Sequence, residues 1–246
     1  MQRYFAKDRI RDKFILDEKD IHHIKNVMRM NPSDIIEVVY NSSIYICSIN
    51  EISDKNIELD VISKKEENHE LEKHIAIAFA LSKEDKIDLI LQKCTELGAS
   101  EFYPVQMNRS VVKIDKPKEE NKVNRWKKIC KEASEQSKRN IIPKINNICS
   151  VSDLCNLDYE LKIVCSINKS CTTLKNILEN NNTLKNIIVV IGPEGDFAPD
   201  EEDMLINSRY IPVSLGNTIL RMETAPIFVC GCINYENMEW VICINY

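Results

Sequence analysis

The chain has 246 residues, of which 43% are hydrophobic and 29% are charged, and its formal net charge is −5. This composition is ordinary for a globular protein with a proper core. No apolar run is long enough to cross a bilayer, and the charged N-terminus MQRYFAKDRIRDKF has no signal-peptide segment, so we expect a cytosolic protein without a membrane partner.

The first part of the chain predicts one short helix followed by strands. The stretch DEKDIHHIKNVMRM places Ile21, Ile24, Val27 and Met28 on one helical face. Three Ile- and Val-rich runs follow, separated by polar turns, and several of them alternate in polarity. Strands of this length and spacing favour a small β-barrel. The three runs are DIIEVVYN, SIYICSIN and NIELDVIS.

A charged stretch, Lys64 to Lys73, is the best linker candidate because it contains many charges and Leu71 as its only aliphatic residue. After it, strands alternate with helices, which predicts a parallel sheet with helices on both faces. We therefore expect a β-barrel domain at residues 1–70 and an α/β domain at 71–246. The predicted strands are HIAIAFALS, EFYPVQM, LKIVCSI, NIIVVIG and YIPVSLG.

The helices between these strands have recognisable apolar faces and ends. The helix EDKIDLILQKCTELGA ends at Gly98, where a C-cap glycine belongs. The helix KVNRWKKICKEASEQSKR would bury Val123 and Trp126. The last helix, ETAPIFVCGCINYEN, has Pro226 in its first turn, where a missing N–H is harmless.

Two loops combine scarce glycines with the ends of predicted strands. Only five glycines occur in the chain; Gly192 and Gly195 lie in IGPEGDF, and Gly216 lies in SLGNTILRMET. In open α/β sheets, ligands bind at the carboxyl ends of strands, where small residues expose bare backbone. The common nucleotide motifs are absent, and a G-x-x-G pair alone is also typical of a tight turn.

The ten cysteines predict structural thiols rather than disulfides or metal ligands. None forms a C-x-x-C pair, and no histidine stands at zinc-ligand spacing from any of them. Several occupy apolar positions of predicted elements, as free thiols do in a reducing compartment. Cys230 and Cys232 are close enough in sequence to be a redox-active pair instead.

Charge is unevenly distributed along the chain. The window from Lys113 to Arg139 contains ten Lys or Arg and five Asp or Glu, which gives +5, and Met1 to Met30 has eight and five, which gives +3. An acidic protein can therefore present basic faces to phosphate. Solvated helix faces are the alternative interpretation of either window.

The two glycine loops together resemble the signature pair of the RsmE family, the 16S rRNA uracil-N3 methyltransferases of the SPOUT class. The pair is IGPEGDFAPDE followed by LGNTILRMETA. Further family-like stretches are QKCTELGASEFYPV, NRS, RWKKICKEASEQSKRNIIP and HHIKNVMRM, so the resemblance covers nearly the whole chain.

This resemblance implies a fold and partners. The fold would be a PUA-like β-barrel that helps to grip RNA, followed by an α/β SPOUT domain tied into a trefoil knot. SPOUT enzymes bind S-adenosylmethionine in the knot and work as homodimers. The implied reaction is methyl transfer to N3 of one uridine of 16S rRNA in the assembled small ribosomal subunit, with no metal.

The resemblance also assigns a cofactor site. Gly192 and Gly195 would bend the first knot loop beneath the cofactor, while Leu215, Gly216 and Leu220 would line the adenine pocket. The complete expected set of cofactor contacts is Ser166, Ile167, Ile191, Gly192, Glu194, Gly195, Leu215, Gly216, Ile219 and Leu220. Glu194 would cap a turn or helix rather than abstract a proton.

Catalytic and RNA-binding candidates follow from the same match. Arg221 and Glu223 would position uracil or the cofactor carboxylate, or would pair with each other, and Arg109 would stabilise an anion or bind phosphate. The uracil imide proton must be removed or the resulting anion stabilised, so both a cation and a carboxylate are useful. Gln136 and Arg139 would face the partner subunit or the RNA. The basic residues expected to hold rRNA phosphates are those of the Lys113–Arg139 window and Arg3, Arg9, Arg11 and Arg29.

Two positions depart from the family pattern. Asp196 replaces the second glycine of the usual GPEGG, and Thr218 replaces an arginine of the usual LG-x-R-I-L-R. These changes suggest one alternative, an RNA-binding or assembly factor that has lost catalysis. A SPOUT methyltransferase with another RNA target is a second alternative, independent of these two positions.

Overall fold

The structure is a computed structural model, and it describes residues 1–11, 13–167 and 171–238. The chain divides into two compact units. The first contains Met1–Glu70 and Lys131–Ile142, and the second contains Leu71–Cys130 and the chain from Pro143 onward.

The first unit is built on a four-stranded sheet of order β1-β4-β5-β6, with a separate hairpin of β2 and β3. Strand β1 pairs with β4 in parallel, whereas β4, β5 and β6 are joined by antiparallel pairing. The strands are β1 Arg3–Phe5, β2 Asp8–Ile10, β3 Lys13–Ile15, β4 Ile35–Tyr40, β5 Ser43–Ile52 and β6 Ile57–Lys65.

The core of this unit is formed by apolar side chains from the sheet, the hairpin and one short helix. Tyr4, Phe14, Ile24 and Ile36 are members of this core and are almost completely buried. Strands β4, β5 and β6 coincide with the three predicted runs. The strands β1, β2 and β3 were not predicted, because segments of three residues are too short to show a period.

The predicted amphipathic helix is shorter than its sequence suggests. Helix α1 covers Glu18–His22, and a π-helical turn, His23–Val27, follows it. Ile21 and Ile24 are buried as expected, but Val27 is 59% exposed and Met28 is 38% exposed. The prediction of one apolar face through Met28 was therefore wrong, because the change to π-helical geometry rotates the later side chains away from the core.

Buried charges in the first unit are compensated locally. The Lys131 ammonium contacts the carboxylates of Asp17, Asp20 and Glu135. Asp17 also caps α1 by accepting hydrogen bonds from two backbone N–H groups. Because an unpaired buried charge is costly, this network fixes α1 against the segment that contains Lys131.

The second unit contains a seven-stranded sheet of order β11-β13-β10-β12-β7-β8-β9, and every neighbouring pair is parallel. The predicted parallel sheet is confirmed. Its strands are β7 His74–Ala80, β8 Glu101–Val105, β9 Lys144–Ile145, β10 Leu161–Cys165, β11 Thr172–Thr173, β12 Asn186–Ile191 and β13 Ile211–Ser214.

Six helices complete the described chain. Helix α3 passes from the second unit into the first after Cys130. The helices are α2 Glu84–Glu96, α3 Lys116–Gln136, α4 Val151–Cys155, α5 Leu174–Asn180, α6 Pro199–Asn207 and α7 Thr224–Glu236. The short elements α4, β9 and β11 had no periodic signal in the sequence.

The central strands of the second unit are apolar on both faces. Residues 75–80 of β7 and 187–191 of β12 are all buried, and β7 pairs with β12 in register from His74–Asn186 to Phe79–Ile191. A continuous apolar run is typical of a parallel strand covered on both sides. This pairing places the ends of β7 and β12 beside each other.

The predicted end of α2 is confirmed. Leu97 is the C-cap, and Gly98 follows it with a φ of +96°, in the region that favours glycine. A Cβ on Gly98 would also lie 2.5 Å from Leu71 Cδ1. Both backbone conformation and packing therefore require glycine here.

The nine cysteines that the structure describes are free thiols, while Cys243 lies outside the described residues. Within residues 1–11, 13–167 and 171–238, no group of side chains could hold a metal ion. The helices of that same part of the chain are all too short or too polar to span a bilayer.

Candidate functional site

A cavity of about 890 Å³ lies in the second unit at the carboxyl ends of neighbouring parallel strands. Strand β10 ends at Cys165, β12 at Ile191 and β13 at Ser214, and β10 lies between the other two. Residues that follow these strands therefore meet around one crevice, as expected for open α/β sheets.

Nine of the ten predicted cofactor contacts line this cavity. They come from three separate stretches that the sheet brings together. They are Ser166, Ile167, Ile191, Gly192, Glu194, Leu215, Gly216, Ile219 and Leu220.

Bare backbone and exposed apolar groups form much of the wall. Gly216 has a φ of +134°, and a Cβ built on it would meet no atom of the described residues within 4 Å. Ile219 is 80% exposed and Ile167 is 60% exposed although both are apolar. The cavity thus offers open space beside Gly216 and apolar surface that a bound ligand could cover.

The IGPEGDF loop is a tight turn with one strained residue. The backbone N–H of Asp196 donates to the carbonyl of Pro193 at 3.0 Å. Asp196 has a φ of +63°, and Asp tolerates this left-handed conformation better than most residues. The positive φ at position 196 explains why glycine is suited to this position, and Asp196 can adopt the same φ, so the turn is preserved.

Gly195 is the exception among the predicted cofactor contacts, because it does not line the cavity. Its carbonyl oxygen instead accepts a hydrogen bond from Arg109 Nη1 at 3.0 Å. The same Nη1 atom donates to the carbonyl of Phe197, also at 3.0 Å. Arg109 itself does not line the cavity, so the structure gives its guanidinium a loop-bracing role, which argues against the predicted anion-stabilising one.

A charged cluster joins three elements at the cavity. The Lys86 ammonium lies 2.8 Å from Glu194 Oε1 and 3.4 Å from Glu223 Oε2, and Ser82 Oγ donates to Glu194 Oε1. Burial alone would raise the pKa of Glu194, but hydrogen bonds from Lys86 and Ser82 lower it. A hydrogen bond to Glu194 is the main reason why the pKa of Lys86 is raised. Both groups are therefore charged at neutral pH.

Arg221 and Glu223 have different environments. Arg221 is exposed, lines the cavity and forms no ion pair within the part of the chain that the structure describes. Glu223 contacts Lys86 instead, so the alternative in which the two pair with each other is not observed. The arginine thus presents an exposed cation to the cavity, and the glutamate supports the wall through Lys86.

Sequence reasoning missed Lys86 and Ser82, although a signal was available. Strand β7 neighbours β12, and Ser82 and Lys86 follow β7 at the start of α2. The rule that placed the other loops at the carboxyl edge of the sheet applies equally to this one. The segment contains no glycine, however, so no feature of its sequence distinguishes it from an ordinary loop.

The six predicted RNA or subunit contacts lie in three different environments. Arg3 is buried and lies 3.0 Å from Glu37, and the buried Arg139 contacts Glu70. These guanidinium groups are occupied inside the protein, which argues against phosphate binding. Arg9 lies over the rings of Phe14 and Tyr45 at 5.0 and 5.3 Å. The exposed members of the set are Arg11, Arg29 and Gln136.

Comparisons with known proteins identify the family of both parts of the chain. Residues 69–234 match the model of an RNA methyltransferase domain, and residues 16–62 match that of an RNA methyltransferase PUA domain. A similar solved structure is that of ribosomal RNA small subunit methyltransferase E from Neisseria gonorrhoeae, crystallised with S-adenosyl methionine. The two structures match with a TM-score of 0.86 and 25% sequence identity. The match covers 96% of this chain and 97% of that one.

Curated relatives agree with the structural match. Ribosomal RNA small subunit methyltransferase E from Bacillus subtilis is 36% identical over 96% of this chain and 97% of its own. The protein of that name from Buchnera aphidicola of Acyrthosiphon pisum is 34% identical over 87% and 84%. With these matches over almost its whole length, the chain belongs to the ribosomal RNA small subunit methyltransferase E family.

Proposed function

We propose that this protein transfers a methyl group from S-adenosylmethionine to N3 of one uridine in the 16S rRNA of the small ribosomal subunit. The observation that supports it most is the cavity, where nine of the ten residues expected from the family motifs meet. The relatives named as rRNA methyltransferases cover nearly the whole chain, which favours this activity over a generic nucleotide-binding role.

The cavity fits the cofactor in size and chemistry. Its volume of about 890 Å³ lies in the range of small-molecule sites. A nucleoside needs a thin apolar slot and backbone hydrogen-bonding groups, and the wall supplies Leu215, Leu220 and the open backbone at Gly216. When bound, S-adenosylmethionine supplies an electrophilic methyl group on a sulfonium.

Residues of the chain would then stabilise the negative charge that develops on the uracil. Loss of the imide proton leaves negative charge on the base, which a fixed cation stabilises. Arg221 is the candidate, since it is an exposed guanidinium at the cavity and has no ion-pair partner within the described part of the chain. Lys86 and Glu223 would hold the loops around it, and Arg109 would brace the turn at Gly195. The target base must leave its stack to reach this site.

The remaining features of the family complete the proposal. Residues 1–70 would be the PUA-like RNA-binding domain and residues 71–246 a SPOUT domain with its trefoil knot. The protein would act as a cytoplasmic homodimer without a metal. Exposed basic residues would hold rRNA phosphates, and Gln136 would contact RNA or the partner subunit. These basic residues are Arg11, Arg29 and, within the Lys113–Arg139 window, Lys113, Lys116, Lys118, Lys127 and Lys128.

Mass spectrometry of 16S rRNA tests the proposal directly. Small subunits that lack the modification would be incubated with protein and S-adenosylmethionine, and a single N3-methyluridine is expected. Methylation of another RNA would identify a SPOUT enzyme with a different target. A protein that binds small subunits but neither methylates them nor binds S-adenosylmethionine by calorimetry would be an assembly factor without catalysis, and the proposed activity would be wrong.

A further inference from the structure

One ammonium group connects three chain segments at the wall of the cavity. Lys86 lies in the first turn of α2, Glu194 in the loop after β12, and Glu223 at the N-cap of α7. The side chains of Lys86, Glu194 and Glu223 are 23%, 27% and 12% exposed, so water screens the cluster only in part. Its charges therefore interact more strongly than those of a surface pair.

The arrangement makes the two glutamates depend on the lysine. Glu223 Oε2 is buried and accepts no well-directed hydrogen bond from residues 1–11, 13–167 or 171–238, so the Lys86 ammonium at 3.4 Å is the compensation that the structure gives it. Glu194 Oε1 accepts from both Lys86 and Ser82. Removing Lys86 would leave two carboxylates facing each other across the cavity wall, which like-charge repulsion would push apart.

Both glutamates belong to segments that form the site. Glu194 adjoins Gly192 and Asp196 in one loop, and Glu223 follows Arg221 and Met222, which also line the cavity. A shift of about 1 Å in such segments lowers turnover strongly, since reactive geometry is set by positioning. The cluster thus stands between the cofactor loop and the segment with the exposed guanidinium.

We infer that Lys86 is a positioning residue for methyl transfer, which fixes the loop after β12 and the segment before α7 in one relative arrangement. The inference rests on the proposed function and deepens it, because Lys86 acts through Glu194 and Glu223 rather than on the substrate. Arginine could make the same two contacts, since its planar guanidinium can bind two carboxylates.

The test compares Lys86→Met, Lys86→Arg and the control Lys93→Met. Lys93 lies on the same helix, and its ammonium lies 2.8 Å from Oε1 of the nearby Glu96. Lys86→Met is expected to lower kcat/KM by ten- to a hundredfold and to weaken S-adenosylmethionine binding in calorimetry about tenfold. Lys86→Arg should recover activity to within about threefold of wild type, and Lys93→Met should match wild type.

A second variant separates positioning from stability. Lys86→Met with Glu223→Gln removes the buried unpaired carboxylate, so it should melt near the wild-type temperature yet remain at least tenfold less active. Amide hydrogen exchange of residues 192–197 and 216–222 should be faster than in wild type. Full activity in the double variant, or wild-type activity in Lys86→Met, would overturn the inference about Lys86 but would leave the proposed function standing. A wild-type protein that neither binds the cofactor nor methylates rRNA would overturn the proposed function and this inference with it.

Discussion

The ring of Phe197 lies directly over the backbone of Gly192, so that a Cβ on Gly192 would come within 2.8 Å of Phe197 Cε2. Gly192 is therefore required by the protein's own packing, five residues before the ring that covers it. Gly216 differs, because a Cβ there would meet no atom within 4 Å in the part of the chain that the structure describes, and its φ of +134° is what disfavours other residues. The two glycines of the cavity thus serve different physical purposes.

This difference predicts the behaviour of Gly216→Ala. The substitution should lower the free energy of unfolding by about 1–3 kcal/mol, because a φ of +134° strains any L side chain. It should also weaken S-adenosylmethionine binding, since relief of strain moves the cavity wall. Chemical denaturation and calorimetry measure the two effects.

Gly231→Ala is the matched control and should have the opposite sign. Gly231 lies within α7, and a Cβ there would also have no neighbour within 4 Å among residues 1–11, 13–167 and 171–238. Alanine in a helix interior is favoured over glycine by about 0.5–1 kcal/mol, so this variant should be slightly more stable. If Gly216→Ala were stabilised to the same extent, the strain at Gly216 would be refuted.

Much of the fold and of the site could be predicted because its signals are local. Continuous apolar runs specify β7 and β12. The scarcity of glycine in the chain singled out the two loops that contain Gly192 and Gly216, and both residues line the cavity. Partners distant in sequence could not be predicted. Arg3 and Arg139 are basic residues in basic windows, and only the folded chain shows that Glu37 and Glu70 neutralise them.

The same reason explains the two other surprises at the site. Arg109 stands in a family-like NRS stretch, but its contacts are with carbonyls 86 and 88 residues away. Lys86 is one of many lysines in the sequence, and its position becomes informative only when Glu194 and Glu223 converge on it. Ion pairing across long sequence separations leaves no periodicity to read.

The stability of the first unit should decrease as the pH rises from about 4.5 to 7. Burial, opposed by Lys131 and reinforced by Asp20, raises the pKa of Glu135 from 4.5 to about 7. Below pH 4.5 the group is protonated in both states, whereas between the two values only the folded state retains the proton. The free energy of unfolding should therefore fall by about 1–3 kcal/mol across this window and level off above pH 7.

Glu135→Gln isolates this contribution, because glutamine remains neutral and can still accept the hydrogen bond from the Phe5 N–H. Urea denaturation at pH 5 and pH 8 should show a smaller loss for this variant than for wild type. Glu132→Gln is the control: its side chain is 67% exposed on the same helix. An identical pH dependence in wild type and Glu135→Gln would contradict the raised pKa.

Binding to the small subunit should fall steeply with salt, and Arg11 and Arg29 should account for part of that dependence. Both are exposed and have positive φ values of 55° and 51°, so asparagine is the substitution that tolerates their backbone. The double variant Arg11→Asn, Arg29→Asn should bind more weakly. It should also reduce the slope of log K against log salt by about 1.5–2, as expected for two lost phosphate contacts.

Filter binding at several salt concentrations measures this slope. Arg209→Asn is a suitable control, because Arg209 is also exposed with a positive φ, of 70°, but lies outside the predicted RNA-binding set. A slope that does not differ between the double variant and wild type would remove Arg11 and Arg29 from the RNA interface.

Arg221→Ala should abolish methylation while the fold stays intact. The side chain is exposed and has no ion-pair partner among residues 1–11, 13–167 and 171–238, so its loss leaves no buried charge and should change the melting temperature by less than about 2 °C. Removal of the cation opposite a developing anion typically costs a hundredfold or more in kcat. Single-turnover methylation of small subunits measures this loss apart from substrate binding.

Lys175→Ala is the control, because its side chain is 77% exposed and lies outside the cavity wall, and it should leave turnover unchanged. The uracil proton must leave before N3 can accept a methyl group, so a higher pH should recover part of the activity of Arg221→Ala. If Arg221→Ala turned over at the wild-type rate at neutral pH, a role for Arg221 in stabilising the anion would be excluded.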